Sequence, residues 1–443
     1  MAELEVRQST QFVIKDLKIV SKVGEIDISG IFEEINIFDS IFNPCITGNI
    51  LIKDSIGLSH ILSFDGSEIL KLDIGKDEDS VKMKRAFRIY KQSDRKNLNQ
   101  TSEVYVLHFV SDEFIFSEQQ KVNQSYTKTY SDVAINLLTE YLNVPINLLY
   151  GDFQNSIGIK DIVVPNLKPI EALEWCAKRA VDKSSSPSFI FFENRLGYNF
   201  TTLSSLMSKD IIANINYSPK NLKTENGIAN EILGARDIKI ISQYDFINNI
   251  QNGVFAGKFV GFDPITRKIS EKAITFSEHY KTMNHGNKTP NLAVVENRAG
   301  AKNTEMFNSK KSLYSFGFFR KDSKYIQQND PTSLQKDTDS FRYIFQRQAI
   351  FNNLLNQRIQ VVLPGNFFIS SGFMVNVMIP NHSAKTKEDD NMDKTLYGKY
   401  LIIATRHIIK YDRHEVVFEA ATDSSNEDAI YKNSQQQKQA IYY

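Results

Sequence analysis

Apolar and polar positions alternate with a period of two over much of this chain. From Leu354 to Pro380 the sequence LLNQRIQVVLPGNFFISSGFMVNVMIP reads as the end of a helix, a strand, a tight turn and a second strand. Ile359, Val361 and Leu363 share one side, and Phe373, Val375, Val377 and Ile379 keep the same period. Pro364, Gly365 and Asn366 punctuate the middle. This order predicts a helix feeding the closing strands of a small barrel. The same alternation runs through the first part of the chain, at Ile26 and Ile28, then Ile35 and Ile37. Beyond Asn43 and Pro44, Gly48 introduces NILIKDS, and Asp65–Gly66 marks a turn before the next strand. KRAFRIYKQSD and EVYVLHFVSDE follow, alternating at Phe87 and Ile89 and at Val104, Val106 and His108, with the polar stretch Gln92–Ser102 expected as a solvent-facing loop between them. Residues 9–118 are therefore expected to form a first antiparallel β-barrel, completed by residues 206–240.

The period changes near Gln119. In SDVAINLLTEYL, Ala134, Leu137, Leu138 and Tyr141 fall on one helical face, with Ser131 as a candidate N-cap and Asp132 favourable in the first turn. A second helix is expected to open at Pro169 and to bury Leu173, Cys176, Ala177 and Ala180. SFIFFENRLGYNF then reads as a hairpin turning near Leu196–Gly197. Residues 119–205 are thus expected to be an inserted α+β domain. Residues 241–424 are expected to form a second barrel. It would carry a long polar excursion over 281–335, a helix over 340–357 with Phe341, Ile344, Phe345, Phe351 and Leu355 on one side, and a final hairpin turning near Tyr411–Arg413. Residues 425–443 make a polar, Gln-rich tail. The fold class is mainly β with an α+β insert.

Composition narrows the function classes. A chain of 443 residues has room for about three domains of roughly 150 residues. A net charge of +1 gives no long-range field toward nucleic acid. No charged and apolar leader and no apolar run of spanning length are visible, so no membrane insertion by this chain is expected. Cys45 and Cys176 sit far apart in apolar patterns, and buried free thiols are expected, in keeping with assembly in a reducing cytoplasm. His407 and His414 are the near histidine pair. They could approach across a hairpin, but with no third ligand nearby, surface or cross-strand residues are preferred over zinc. Glu33–Glu34 and Asp389–Asp390 are adjacent, so on a strand they point apart and cannot share a substrate. Gly253, Gly257 and Gly261 are too widely spaced for a phosphate loop, and no Gly-x-Ser-x-Gly or His-Glu-x-x-His occurs. The basic clusters Lys82–Arg88 and Lys91–Lys96 are short and are expected to be solvated loop charge. No catalytic residue, metal or cofactor is expected.

The ordered set of segments resembles the baseplate hub proteins of contractile-tailed bacteriophages and the related hub part of type VI secretion spike proteins. The C-terminal half carries it through LLNQRI, VVLPGNFFISSGFMVNVMIP and GKYLIIATRHIIKYDRHEVVFEAATDS. EINIFDSIFNPCITGNILIKDS with FDGSEILKLDI resembles the first barrel of those hubs, and NLKPIEALEWCAKRAV with FIFFENRLGYNF resembles their inserted domain. The resemblance covers residues 9–424 and leaves 281–335 unplaced. It implies two tube-type barrels and a small α/β domain per chain, and a homotrimer forming a ring of pseudo-sixfold symmetry. Such a ring adapts the sixfold tail tube protein to the threefold central spike protein, meets baseplate wedge proteins at its rim, and passes DNA through its lumen without specific binding. The implied location is the baseplate of a virion tail. The alternatives are a tail-associated cell-wall-degrading enzyme on a hub-like scaffold, and a type VI spike hub. An enzyme would need an added domain for which the chain has no spare length.

One local interface is legible. Ile41, Phe42, Asn43 and Pro44 fall between two strands, where polar turn residues are usual. They either cap the barrel's own core or pack on a neighbouring subunit or tube ring, as exposed apolar tips do.

Overall fold

The computed structural model describes residues 10–76, 81–145, 148–149, 151–217, 233–263, 267–275, 280, 283–290, 313–318, 335–336, 343–380, 392–393 and 395–426. Strands dominate it, and most join one 14-stranded sheet. The N-terminal part supplies β1 (Val13–Ser21), β2 (Gly24–Asp27), β3 (Phe32–Ser40), β4 (Thr47–Asp54), β5 (Ile69–Gly75), β6 (Met83–Asn97) and β7 (Glu103–Ser111). They pair in the order β2-β1-β5-β6-β7-β4-β3, antiparallel throughout. Residues 24–40 pair with β1 at their start and with β4 at their end, so the pairing returns to its origin. Closure of this kind removes open sheet edges. Alternate positions such as Ile35, Ile37, Ile50, Ile52, Leu70, Leu72, Leu107 and Phe109 fill the interior. Gly48 on β4 is required by that packing: a Cβ there would lie 2.2 Å from Phe109 Cζ and 2.4 Å from Asn36 O.

An insert follows. It holds the helices Asp112–Glu118, Tyr130–Asn136 and Pro169–Arg179, and the strands β8 (Ser125–Lys128), β9 (Lys160–Val163), β10 (Phe189–Asn194) and β11 (Gly197–Thr202). Leu173, Cys176, Ala177 and Ala180 are buried, as their spacing predicts. The N-cap of the earlier helix is Thr129, whose side chain accepts from Asp132 N, rather than Ser131. Ser131 is instead buried against Ser156.

The chain then runs through β12 (Ile211–Tyr217), β13 (Gly234–Ala235) and β14 (Asp237–Ser242), and through β15 (Ala256–Asp263), β16 (Lys268–Thr275), β17 (Thr289–Pro290), β18 (Leu313–Phe318) and β19 (Gln335–Lys336). It ends with the helix Ile344–Leu354, β20 (Gln357–Pro364), β21 (Met374–Met378), β22 (Gly398–Lys410), β23 (Arg413–Thr422) and β24 (Ser424–Ser425). Here too the pairing returns on itself. Residues 234–242 pair with β12 at their start and with β20 at their end, and β20-β23-β22-β21-β12 completes the circuit. The order matches that of the N-terminal circuit, with β12 in the place of β1. The difference is direction: β12 runs parallel to β21, whereas β1 runs antiparallel to β5. The two circuits are joined edge to edge where β22 pairs with β3.

Several expectations change. Residues 211–217 and 234–242, assigned above to the N-terminal barrel, pair instead with strands of the C-terminal circuit. β20 and β21 are not neighbours, because β23 and β22 separate them. The stretch expected as a loop from Gln92 is partly strand, since β6 runs to Asn97. On β7 Tyr105, Leu107 and Phe109 are buried, with Val110 and Ser111 at its end, whereas Val104, Val106 and His108 are only partly buried. The helix Ile344–Leu354 buries Ala349, Ile350 and Leu354 and leaves Phe351 partly exposed, while Phe341 lies outside the described residues. Most of 281–335 and all of 427–443 also lie outside them. Cys45 and Cys176 are free and buried, as expected. None of the described helices is long and apolar enough to cross a membrane.

Candidate functional site at the junction of strands and insert

Ile41–Pro44 follow β3 directly, and the turn is held by its own backbone. Ile41 N donates to Ile403 O at 3.0 Å, and Asn43 N donates to Ser40 O at 3.1 Å. Ile41 is 1% exposed and packs with Ile190, Phe192, Met374, Leu401 and Ile403. It belongs to the chain's own core and cannot serve an external interface, because its position continues the inward parity of Ile35 and Ile37. Phe42 is 43% exposed, and Asn43 is exposed beside the half-buried Pro44. The Phe42 ring lies 6.1 Å from that of Phe351, over which the Arg347 guanidinium stacks at 4.6 Å. Arg347 is anchored from below, its Nη1 donating to Pro187 O at 2.9 Å and to Phe189 O at 2.5 Å. Burial lowers its pKa to about 10. The partly exposed Phe-Phe-Arg stack is built of residue types that are enriched at protein interfaces in general.

Behind this turn three parts of the chain meet at Asp39. Its carboxylate accepts from Ser370 Oγ at 2.5 Å, from Ser371 N at 3.2 Å and from Thr405 Oγ1. The insert reaches the same loop through Asn194 Nδ2, which donates to Ser371 O at 3.0 Å, and through Arg195 N, which donates to Ser370 Oγ at 3.3 Å. Burial raises the Asp39 pKa against those donors. A second buried tie joins β6 to β10. Arg85 Nη2 lies 3.1 Å from Glu193 Oε1, and Glu193 Oε2 accepts from Ile46 N at 2.9 Å and Ser111 Oγ at 2.5 Å. Burial outweighs the Arg85 charge and lifts Glu193 to about 7.

The histidine pair is not on the surface. His407 and His414 are fully buried, with His407 Nδ1 and His414 Nε2 3.1 Å apart. Among the described residues, no group of three or more His, Cys, Asp or Glu could hold a metal. Glu34 is occupied by Lys410 at 3.3 Å and Arg406 at 3.7 Å, and Glu33 is exposed on the other face. Asp389 and Asp390 lie outside the described residues. From Met83 on, the basic cluster Lys82–Arg88 is strand rather than loop: Lys84 is exposed, but Arg85 pairs with Glu193, and Arg88 with Asp112 at 2.8 Å. In the second cluster Arg95 pairs with Glu103 at 2.8 Å. Sequence reasoning passed over Asp39, Arg85 and Glu193. The signal for Asp39 was its inward parity on an otherwise apolar strand face. Glu193 was flagged only by its apolar run, FIFFEN.

Comparison with known proteins agrees with this architecture. The chain is 21% identical over 433 residues to a probable baseplate hub protein of Vibrio phage KVP40, covering 95% of this chain and 96% of that protein. The chain resembles a phage baseplate hub protein over nearly its whole length. Among solved structures it is similar to a tail protein from Neisseria meningitidis (TM-score 0.53, 11% identity, 93% of this chain and 97% of that one). A 43 kDa tail protein of prophage MuSo2 from Shewanella oneidensis gives a TM-score of 0.51 at 8% identity, covering 93% and 100%. No family model matches the chain. At these identities the structural likenesses establish a shared fold, and the hub resemblance rests on the curated relative.

Proposed function

We propose that the chain is a structural hub at the baseplate of a contractile phage tail. In this reading three copies form a ring that adapts the tail tube to the central spike and leaves a channel for DNA. The two strand circuits would be the tube-type barrels, so that three chains present a pseudo-sixfold face to a sixfold tube and a threefold face to the spike. Baseplate wedge proteins would contact the rim. The observation that carries the reading is the end-to-end similarity to a baseplate hub protein, to which the repeated strand order adds support. A ring adaptor needs no reacting group, and the polar clusters described above are engaged in holding the chain together. Of the turn Ile41–Pro44, Phe42 and Asn43 are the residues open to a neighbouring subunit or tube ring.

Light scattering of the purified chain, alone and with a candidate spike protein, tests this. The expected result is an assembly of three 50.7 kDa chains, or a monomer that trimerises only when spike is added. A monomer indifferent to spike but active on peptidoglycan would overturn it in favour of the enzyme reading.

A further inference from the structure

We propose that His407 and His414 form an acid-sensitive latch at the seam between the two strand circuits, closed when both rings are neutral and opened by protonation. The pair lies where β22 and β23 meet the N-terminal circuit. His407 stands opposite Ile37 of β3, and His414 N donates to Thr10 O at 2.9 Å. Phe367 covers both rings, with centroids 4.8 Å from His407 and 4.6 Å from His414. Phe367 and Ile409 also pack into the core of the N-terminal circuit, so the pair is part of what holds the circuits together. Gly365, which opens the Phe367 loop, passes so close that a Cβ would lie 2.0 Å from His414 Cγ.

The hydrogen bonds specify protonation states. His407 Nε2 lies 3.2 Å from Ile369 O. A carbonyl only accepts, so Nε2 carries the hydrogen. In the neutral ring Nδ1 is then bare and accepts from His414 Nε2. A proton on His407 places hydrogens on both its nitrogens and removes that acceptor. A proton on His414 leaves a charge in the same dry seam.

The surroundings do not compensate either charge. Arg195 on the insert turn and Lys76 beyond β5 both act on the pair with like charge. The loop Gly365–Ser371 brings no titratable side chain. Asp39 of β3, opposite Thr405, is already engaged by Ser370, Ser371 and Thr405. Burial accordingly lowers His407 to about 4 and His414 well below its ordinary value. With folded-state values below the unfolded ones, the stability from neutral burial is present above the ordinary histidine range and is lost as pH falls toward about 4.

Hydrogen exchange of the full chain, read by mass spectrometry at about pH 7.5 and about pH 5 and corrected for intrinsic rate, tests the latch across the histidine range. Peptides spanning 365–371 and 405–416 are expected to open about thirtyfold more readily at the lower pH from His407 alone. The double variant His407→Gln, His414→Gln should lose that dependence, since Gln can donate to Ile369 O without titrating. Equal protection of the wild-type peptides at both pH values would overturn the proposal. So would acid loosening confined to peptides of the insert, or acid dependence retained in the double variant. If the double variant does not fold, the wild-type comparison decides alone.

Discussion

Asp39 occupies a position of β3 that shares the inward parity of Ile35 and Ile37, where the alternation would place another apolar side chain. Its three donors come from the loop before β21 and from β22, so one carboxylate ties N-terminal strand to C-terminal loop. Asp39→Ala leaves those donors unpaired in a dry junction and is expected to cost about 3 kcal/mol in denaturant unfolding. A loss no larger than that of an exposed substitution would show that water replaces the carboxylate. Arg85 and Glu193 make a comparable tie between β6 and β10. Glu193→Ala leaves a buried guanidinium with no counter-charge, held only by its bond to Asn194 O at 3.1 Å, and is expected to cost about 3 kcal/mol, with much less added by Arg85→Ala in the same chain. A double-mutant cycle measures that coupling, and independent effects would contradict the pairing. Sequence parity alone makes Asp39 visible as an exception. The apolar run around Glu193 marks that residue but not its partner, because Arg85 lies more than a hundred residues away and the attraction exists only after the insert has docked. Phe42 is the opposite case, an apolar residue left partly open. Phe42→Asp should leave the unfolding midpoint nearly unchanged, as the Phe351 contact is worth only about 1 kcal/mol, and should weaken assembly measured by light scattering. Unchanged assembly would remove Phe42 from the interface.

At the scale of elements, strands whose local pattern is decisive are the ones legible in the sequence. Pro169 at the first position of its helix, the hairpin Phe189–Thr202 and the hairpin β22–β23 follow from residues close in the chain. The alternation also places Gly48 on β4, but not the reason for it. Gly48→Ala would drive a methyl into Phe109 and the Asn36 carbonyl, on a strand paired along both edges. The expected cost is about 3 kcal/mol, toward the upper end for overpacking, read as a lowered denaturant midpoint. A near-neutral result would mean that β4 shifts to make room. Neighbour relations were less legible. β20 and β21 look like a hairpin because a short punctuated stretch joins them, yet each pairs elsewhere. Alternation reports which side chains face inward and is silent on which strand lies alongside.

For the whole molecule, two histidine sites give stability opposite pH dependences. At His285 burial opposes the charge, but the hydrogen bond and charge of Asp423 outweigh it and raise the pKa above its ordinary value. A raised value means that the contribution is complete below the ordinary histidine range and is lost as pH rises through the folded-state value. The buried pair at the seam behaves in the opposite sense. Stability followed by denaturant midpoint is therefore expected to fall on both sides of an intermediate pH. Asp423→Asn should flatten the alkaline side alone; an unchanged alkaline side would show that His285 is not held by that pair. By itself the sequence determined the mainly β class, the buried thiols and the inward faces of most strands, because each depends on spacing along the chain. It also carried the hub resemblance, through the order of its segments. Only the tertiary structure decided that residues 211–242 join the C-terminal circuit, that Ile41 turns inward while Phe42 stays open, and that Asp39, Glu193 and the two histidines are buried at junctions. Those outcomes depend on contacts between distant segments, whose energies arise only when burial removes water from both partners.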